Sequence, residues 1–323
     1  MSTDPQDAPR NQANQTREEW RDHLARIGAD HGFFDRVADR HSALFVQERD
    51  TLVVSFDRAE RAFADTNDGM PMGFAAVKRR QLSLLSILSS GRTWFRDPDL
   101  YDFFDGLTEQ GFFESFRRVV FLGIGPMCGF AACAFSKASP GASVLAAAPA
   151  ATVSVDRAGF DQRFRAFRKF DFSNRYAYGP EAMQRAGKSF LIFDPYDPVT
   201  SAHAAQFQGS HITRVPIRWF GPEPQSFFDS GDITVPFLRF LARGTLNKAR
   251  ILDRYRDVRR NHPGYLMRLA EKAQARGQFD RAIVVARHGA RATGAPEFDA
   301  LLAALGAEPE AETASASASA DAV

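Results

Sequence analysis

One short segment limits the fold of this chain more than any other. Arg118 to Leu122 is a compact apolar strand core that runs into the glycine-rich turn Gly123, Ile124, Gly125. A helix start built largely of small residues follows, from Pro126 and Met127 through Cys128, Gly129, Ala131 and Ala132. A strand, a tight turn and a helix in this order place one residue on a sharp bend at the end of the strand. They also aim the first N–H groups of the helix at the space above the sheet. Small residues let that helix lie close to the strands. The segment therefore belongs to a layered α/β fold.

The rest of the chain agrees with it. Apolar runs at 81–88, 118–122, 143–148, 189–193 and 211–219 alternate with helical patterns at 99–116, 130–136, 180–186 and 200–208. The later runs are almost continuously apolar, as expected of parallel strands covered on both faces. Runs at 43–47 and 51–55 flank the turn residues Glu48 to Asp50, which predicts an antiparallel hairpin at the start of a mixed sheet. With 44% hydrophobic residues and 30 Phe in 323 residues, the chain has material for a sizeable core. After Gly244 the pattern is helical only. The stretch around Gly277 resembles a single tetratricopeptide-type hairpin, and is expected to pack on the sheet domain rather than to form an array. The division predicted is a disordered segment 1–17, an α/β domain 18–244, a helical extension 245–305 and a disordered tail 306–323.

The turn after the Arg118 strand resembles the nucleophile elbow of the α/β-hydrolase family. Members commonly carry Gly-x-Ser-Met-Gly-Gly-Tyr-Ala-Ala there. Aligning Met127, Gly129, Phe130, Ala131 and Ala132 with that pattern puts Pro126 at the serine and Cys128 at the first of the paired glycines. The other register puts Gly125 at the serine. Neither contains a hydroxyl. The resemblance covers about residues 44–221 and implies a mostly parallel α/β-hydrolase-like sheet flanked by helices, here with a C-terminal all-helical extension. It places an acid after the strand 189–193, where Asp197 matches the acid turn and Asp194 is a second candidate. It places a histidine after the last strand, where the chain reads Gly221, Pro222, Glu223. Scaffold and acid are kept, and nucleophile and base are missing. A hydroxyl nucleophile without a base is weak at neutral pH.

The remaining candidates have plain structural readings beside the chemical ones. Cys128 near a helix N-terminus is a possible displaced nucleophile, or a small apolar residue packed under the turn. Cys133 reads as core. Ser90, at the end of the 81–88 run beside Ser89, Gly91 and Arg92, offers a hydroxyl to a ligand or is simply loop. With Gly123, Gly125, Pro126, Met127, Gly129 and Asp194, it completes the expected pocket or oxyanion-like turn, and Asp197 and Cys128 are the catalytic candidates. His203 follows the acid turn and is the histidine placed to face the pocket. His211 belongs at the far end of its strand, and His23, His31 and His41 read as surface residues. The aromatic and basic segment 159–178 reads as an amphipathic helix over the sheet or as a cap over an apolar pocket with a basic rim, suited to an acyl or anionic small molecule.

Several functions are disfavoured. A net charge of +2 gives no reason to expect nucleic acid, and the Arg-rich stretch 250–260 is interleaved with Asp253 and Asp257. No run is long enough to span a membrane, and 1–16 has no secretory apolar core. Two Cys make neither a disulfide framework nor a Cys-rich zinc site, so neither metal nor cofactor is expected and the compartment read is the cytoplasm. The turn lacks the third glycine of a dinucleotide fingerprint, and a sulfonucleotide reductase would need a better phosphate loop and a C-terminal cysteine. The reading is a catalytically degenerate hydrolase-like protein that binds a ligand or regulates, with a protein partner possible at the C-terminal helices. Its alternative is an esterase, thioesterase or acyltransferase with a displaced nucleophile.

Overall fold

The computed structural model describes residues 16–64, 69–79, 82–221, 224–230 and 233–307. Most of the two segments expected to be disordered, together with Gln81, Pro222 and Glu223, lies outside the described residues. The strands are β1 (Gly32–Ala38), β2 (His41–Val46), β3 (Thr51–Arg58), β4 (Ser83–Ser89), β5 (Arg118–Ile124), β6 (Ser143–Ala147), β7 (Ser189–Phe193) and β8 (Ile212–Pro216). They form one sheet in the order β1-β2-β4-β3-β5-β6-β7-β8. β1 and β2 pair antiparallel, as do β2 and β4, and every later pair is parallel. This is the mostly parallel sheet that the resemblance implies.

Helices α1 (Arg17–His31), α2 (Ala59–Ala64), α3 (Phe74–Lys78), α4 (Pro98–Glu109) and α5 (Pro126–Phe135) come first. Short helices α6 (Val155–Ala158) and α7 (Gly179–Ala182) precede α8 (Pro198–Ala205), α9 (Gln225–Ser230) and α10 (Thr234–Ala242). The C-terminal set is α11 (Lys248–Arg259), α12 (Pro263–Ala275), α13 (Phe279–Thr293) and α14 (Glu297–Ala304). The chain divides into two compact units, Met1–Arg254 and Tyr255–Val323, so the dividing point falls within α11.

The expected hairpin of 43–47 with 51–55 does not form. β2 pairs with β1 and β4, whereas β3 lies between β4 and β5. Burial explains the exchange. β3 is buried from Thr51 to Asp57 and needs cover on both faces, which a central position provides. The linking turn is fastened to β4, because the Ser83 hydroxyl accepts the N–H groups of Glu48 and Arg49 and donates to the Arg49 carbonyl. The partner of β2 is the edge strand β1, whose burial does not alternate cleanly and which left no period-2 signal. The 99–116 helix also breaks, at Gly111 with φ +72°, into α4 and a 3₁₀ turn at Phe113–Ser115.

The core lies between α4, α5 and the sheet. Phe56, Phe104, Phe113, Phe121, Phe130 and Phe135 are fully buried there, with Phe104 and Phe135 ring centroids 4.6 Å apart. α5 reaches this depth because of glycine. A Cβ on Gly123 would overlap the Cys128 carbonyl oxygen, and one on Gly129 would lie 2.9 Å from the Pro149 Cα. Gly123→Ala is therefore expected to lift α5 off β5 and to lower the unfolding free energy by about 2–3 kcal/mol, measured by urea denaturation.

Candidate active site

The site is built where β5 meets α5. Gly125 caps α5 at φ 87°, ψ 172°, a conformation in the positive-φ range open to glycine, and Pro126 is the first helical residue. The positive-φ bend falls on Gly125, not on Pro126. A Cβ built on Gly125 meets nothing within 4 Å, so the position faces open space. The residue after a nucleophile normally gives an N–H to the developing oxyanion. Here that residue is Pro126, which has none, and the first helical N–H groups are those of Met127 and Cys128.

A cavity of about 110 Å³ opens at this turn, lined by Gly125, Pro126, Met127 and Cys128, by Trp94 and Phe164, and by Arg58, Arg61 and Arg92. No histidine lines it. Trp94 and Phe95 both take positive φ, 54° and 53°, which is strained for bulky residues. The Trp94 N–H lies 3.3 Å from the Met127 sulfur, and its ring packs edge-on against Phe164 with centroids 4.8 Å apart. Asp57 at the end of β3 forms a two-point pair with Arg61 and accepts the N–H groups of Arg58 and Met72.

The two acid candidates separate. Asp194 is buried, and its carboxylate accepts the N–H of Tyr196 at 2.9 Å and of Gly221 at 2.9 Å. Asp194 thus ties the loop after β7 to the loop after β8 through backbone, at the place where the resemblance implies an acid–histidine contact. Asp197 caps α8, accepting the N–H groups of Val199 and Thr200, and its other oxygen lies 3.9 Å from Arg163. Neither acid lines the cavity, and neither holds a histidine.

The remaining candidates are also placed. Burial drives the Cys128 thiol well above its ordinary range, and the Asp57 charge adds to this, against the pull of Arg61 and Arg58. It makes no hydrogen bond with a described residue. A protonated thiol without a base is a poor nucleophile. Burial likewise raises Cys133. Ser90 does not belong to this site. It lines a separate cavity of about 340 Å³ with Arg40 and His41, and its carbonyl accepts the Arg40 guanidinium.

His203 is buried but does not face the cavity. Its Nδ1 accepts the Ala151 N–H, and its Nε2 donates to Asp161 at 3.0 Å. Burial opposes charge on Asp161, but hydrogen bonds from His203 and Arg163 outweigh it and hold the carboxyl well below the usual range. His211 donates to the Met183 carbonyl, away from the turn, as expected. His41, expected at the surface, is 2% exposed. Its Nε2 lies 2.8 Å from the Thr93 hydroxyl and its Nδ1 3.5 Å from Asp97. No local pattern signals this, because His41 pairs with residues about fifty positions away, brought together by the β2–β4 pairing.

The 159–178 segment is not a long helix. It follows α6 and contains one 3₁₀ turn, Arg165–Phe167, and arginines hold it in place of helical hydrogen bonds. Arg96 donates to the carbonyls of Asp171, Arg175 and Tyr176, and Arg168 to those of Ala158, Gly159 and Asp161. The cap reading therefore gains Phe164 at the cavity, and the amphipathic-helix reading is corrected.

Comparison with known proteins adds likeness of fold. No family model matches the sequence, and no curated protein matches it. Among solved structures, the esterase domain of a Rhodothermus marinus protein is 14% identical, over 62% of this chain and 92% of that one, with a TM-score of 0.41. An esterase of Pyrobaculum calidifontis is 12% identical over 73% and 94%, TM-score 0.43. A hormone-sensitive lipase from a metagenome library is 11% identical over 74% and 92%, TM-score 0.44. The fold is of the α/β-hydrolase type. Strand order and the turn after β5 establish this, and nothing about the site is carried over from these proteins. Among the described residues no helix is long and apolar enough to cross a membrane, and no three His, Cys, Asp or Glu come together as metal ligands.

Two outcomes follow from this geometry. Asp194→Ala strands two N–H groups, and is expected to cost about 3 kcal/mol of stability in chemical denaturation. His41 sits below its ordinary 6.5 at about 4, chiefly through burial, with Asp97 partly opposing. The unfolded chain takes this proton first, so stability falls as the pH drops from about 6.5 towards 4 and the His41 contribution levels off below that. His41→Gln should flatten that part of the pH–stability curve.

Proposed function

We propose that this chain is a catalytically degenerate α/β-hydrolase-like protein that binds a ligand, or regulates through such binding, and does not perform serine hydrolysis. The observation that carries the reading is the elbow itself. The residue on the bend is Gly125, with no side chain, and the residue after it is Pro126, with no N–H. Loss of a nucleophile and of one oxyanion donor at adjacent positions removes two separate parts of acyl transfer.

Two further features support it. The cavity holds no histidine, and the acid facing the post-β8 loop binds the Gly221 backbone. The alternative of an esterase, thioesterase or acyltransferase rests on Cys128, which lines the cavity but stays protonated. Asp197 as its orienter is engaged at the start of α8.

The test is covalent labelling with a fluorophosphonate, beside turnover of short- and long-chain esters and thioesters. No labelling and no turnover above buffer are expected. Gly125→Ser is expected to remain inactive, because the new hydroxyl has no base within the cavity. Stoichiometric labelling of the unmodified chain at one residue would overturn the reading.

A further inference from the structure

The cavity at the head of α5 is oversupplied with donors. Three guanidinium groups line it, and Arg61 is matched by Asp57. Arg58 and Arg92 make no side-chain hydrogen bond or ion pair with a described residue. The N-terminal end of α5 adds a partial positive charge on the same side. Asp57, the acidic group in the lining, is committed to Arg61 and to two backbone N–H groups. Arg58 is half-buried and Arg92 exposed, so both guanidinium groups can be reached from solvent by a ligand. Among the described residues, the lining offers Arg58 and Arg92 no uncommitted carboxylate.

Its other half is apolar. Trp94, Met127 and Phe164 face the same space, and Gly125 contributes no side chain to fill it. About 110 Å³ is far below the several hundred Å³ of a drug-sized site. That volume and that division suit a small charged head with a short hydrocarbon tail.

We propose that this cavity binds a short-chain carboxylate, its oxygens meeting Arg58 and Arg92, and its tail lying against Trp94, Met127 and Phe164. The assignment rests on the non-catalytic reading above and names the ligand class of that same site. Arginine suits the role because its planar fork matches a carboxylate at two points.

The test is titration calorimetry of the full chain with sodium butyrate, with inorganic phosphate and butylamine as comparison probes. Butyrate is expected to bind saturably, phosphate more weakly and butylamine not at all. Arg58→Gln with Arg92→Gln is expected to weaken butyrate at least about tenfold, with far-UV circular dichroism unchanged. Arg92 is exposed and makes no described side-chain contact, so Arg92→Gln alone carries the test should the double variant fold poorly. Absence of butyrate binding, equal affinity in the arginine variants, or preference for phosphate over butyrate would each overturn the proposal. Fluorophosphonate labelling separates the two claims. An unlabelled chain that ignores butyrate loses the ligand assignment alone, and a labelled chain loses the non-catalytic reading.

Discussion

The fold turns on the contact between the backbone of β5 and the first turn of α5. Gly123 leaves no room for a side chain against the Cys128 carbonyl, and Gly129 leaves little against Pro149. Because two main chains touch there, α5 sinks into the sheet layer and packs Phe130 and Phe135 into the aromatic core. The same approach fixes the bend at Gly125, and with it the position of the cavity. A larger residue at Gly123 would disturb core packing and site together.

At that bend, the chain carries glycine followed by proline, neither of which has a hydroxyl. Proline at the first helical position is favourable for the helix, since its φ suits the turn and the missing N–H is one the helix does not use. The same choice withdraws the donor that an oxyanion needs. The buried carboxylate of Asp194 accepts the Gly221 backbone N–H. The arginines around the cavity then give the space a charge that a hydrolase acting on neutral esters does not need.

Buried polar groups elsewhere are used for fastening. His203 joins the 148–161 segment to α8 through Ala151 and Asp161, and Arg96 and Arg168 hold the aromatic cap by its carbonyls. These side chains do in an irregular segment what helical hydrogen bonds would have done in the helix that its spacing suggested. Phenylalanines at 160, 164 and 167 fit a helical face, but Trp94 and Phe130 draw Phe164, Phe167 and Phe172 into a cluster that a straight helix does not reach. Tertiary packing overrode local pattern there.

Sequence alone determined the α/β layering, the elbow segment and the absence of a serine from it, because continuous apolar runs and glycine turns are local signals. It also determined that no histidine follows the last strand in the stretch Gly221 to Glu223. It left the elbow register open between Gly125 and Pro126, since two residues of similar turn preference stand side by side. Only the backbone angles show that the positive-φ bend falls on Gly125. It also misassigned the partner of β2, because pairing depends on which strand needs cover on both faces and not on which is nearest in the chain. The arginine-lined cavity was beyond it as well. Arg58 ends β3, Arg61 lies in α2 directly after it and Arg92 in the loop after β4, and the parallel pairing of β3 with β4 brings them together.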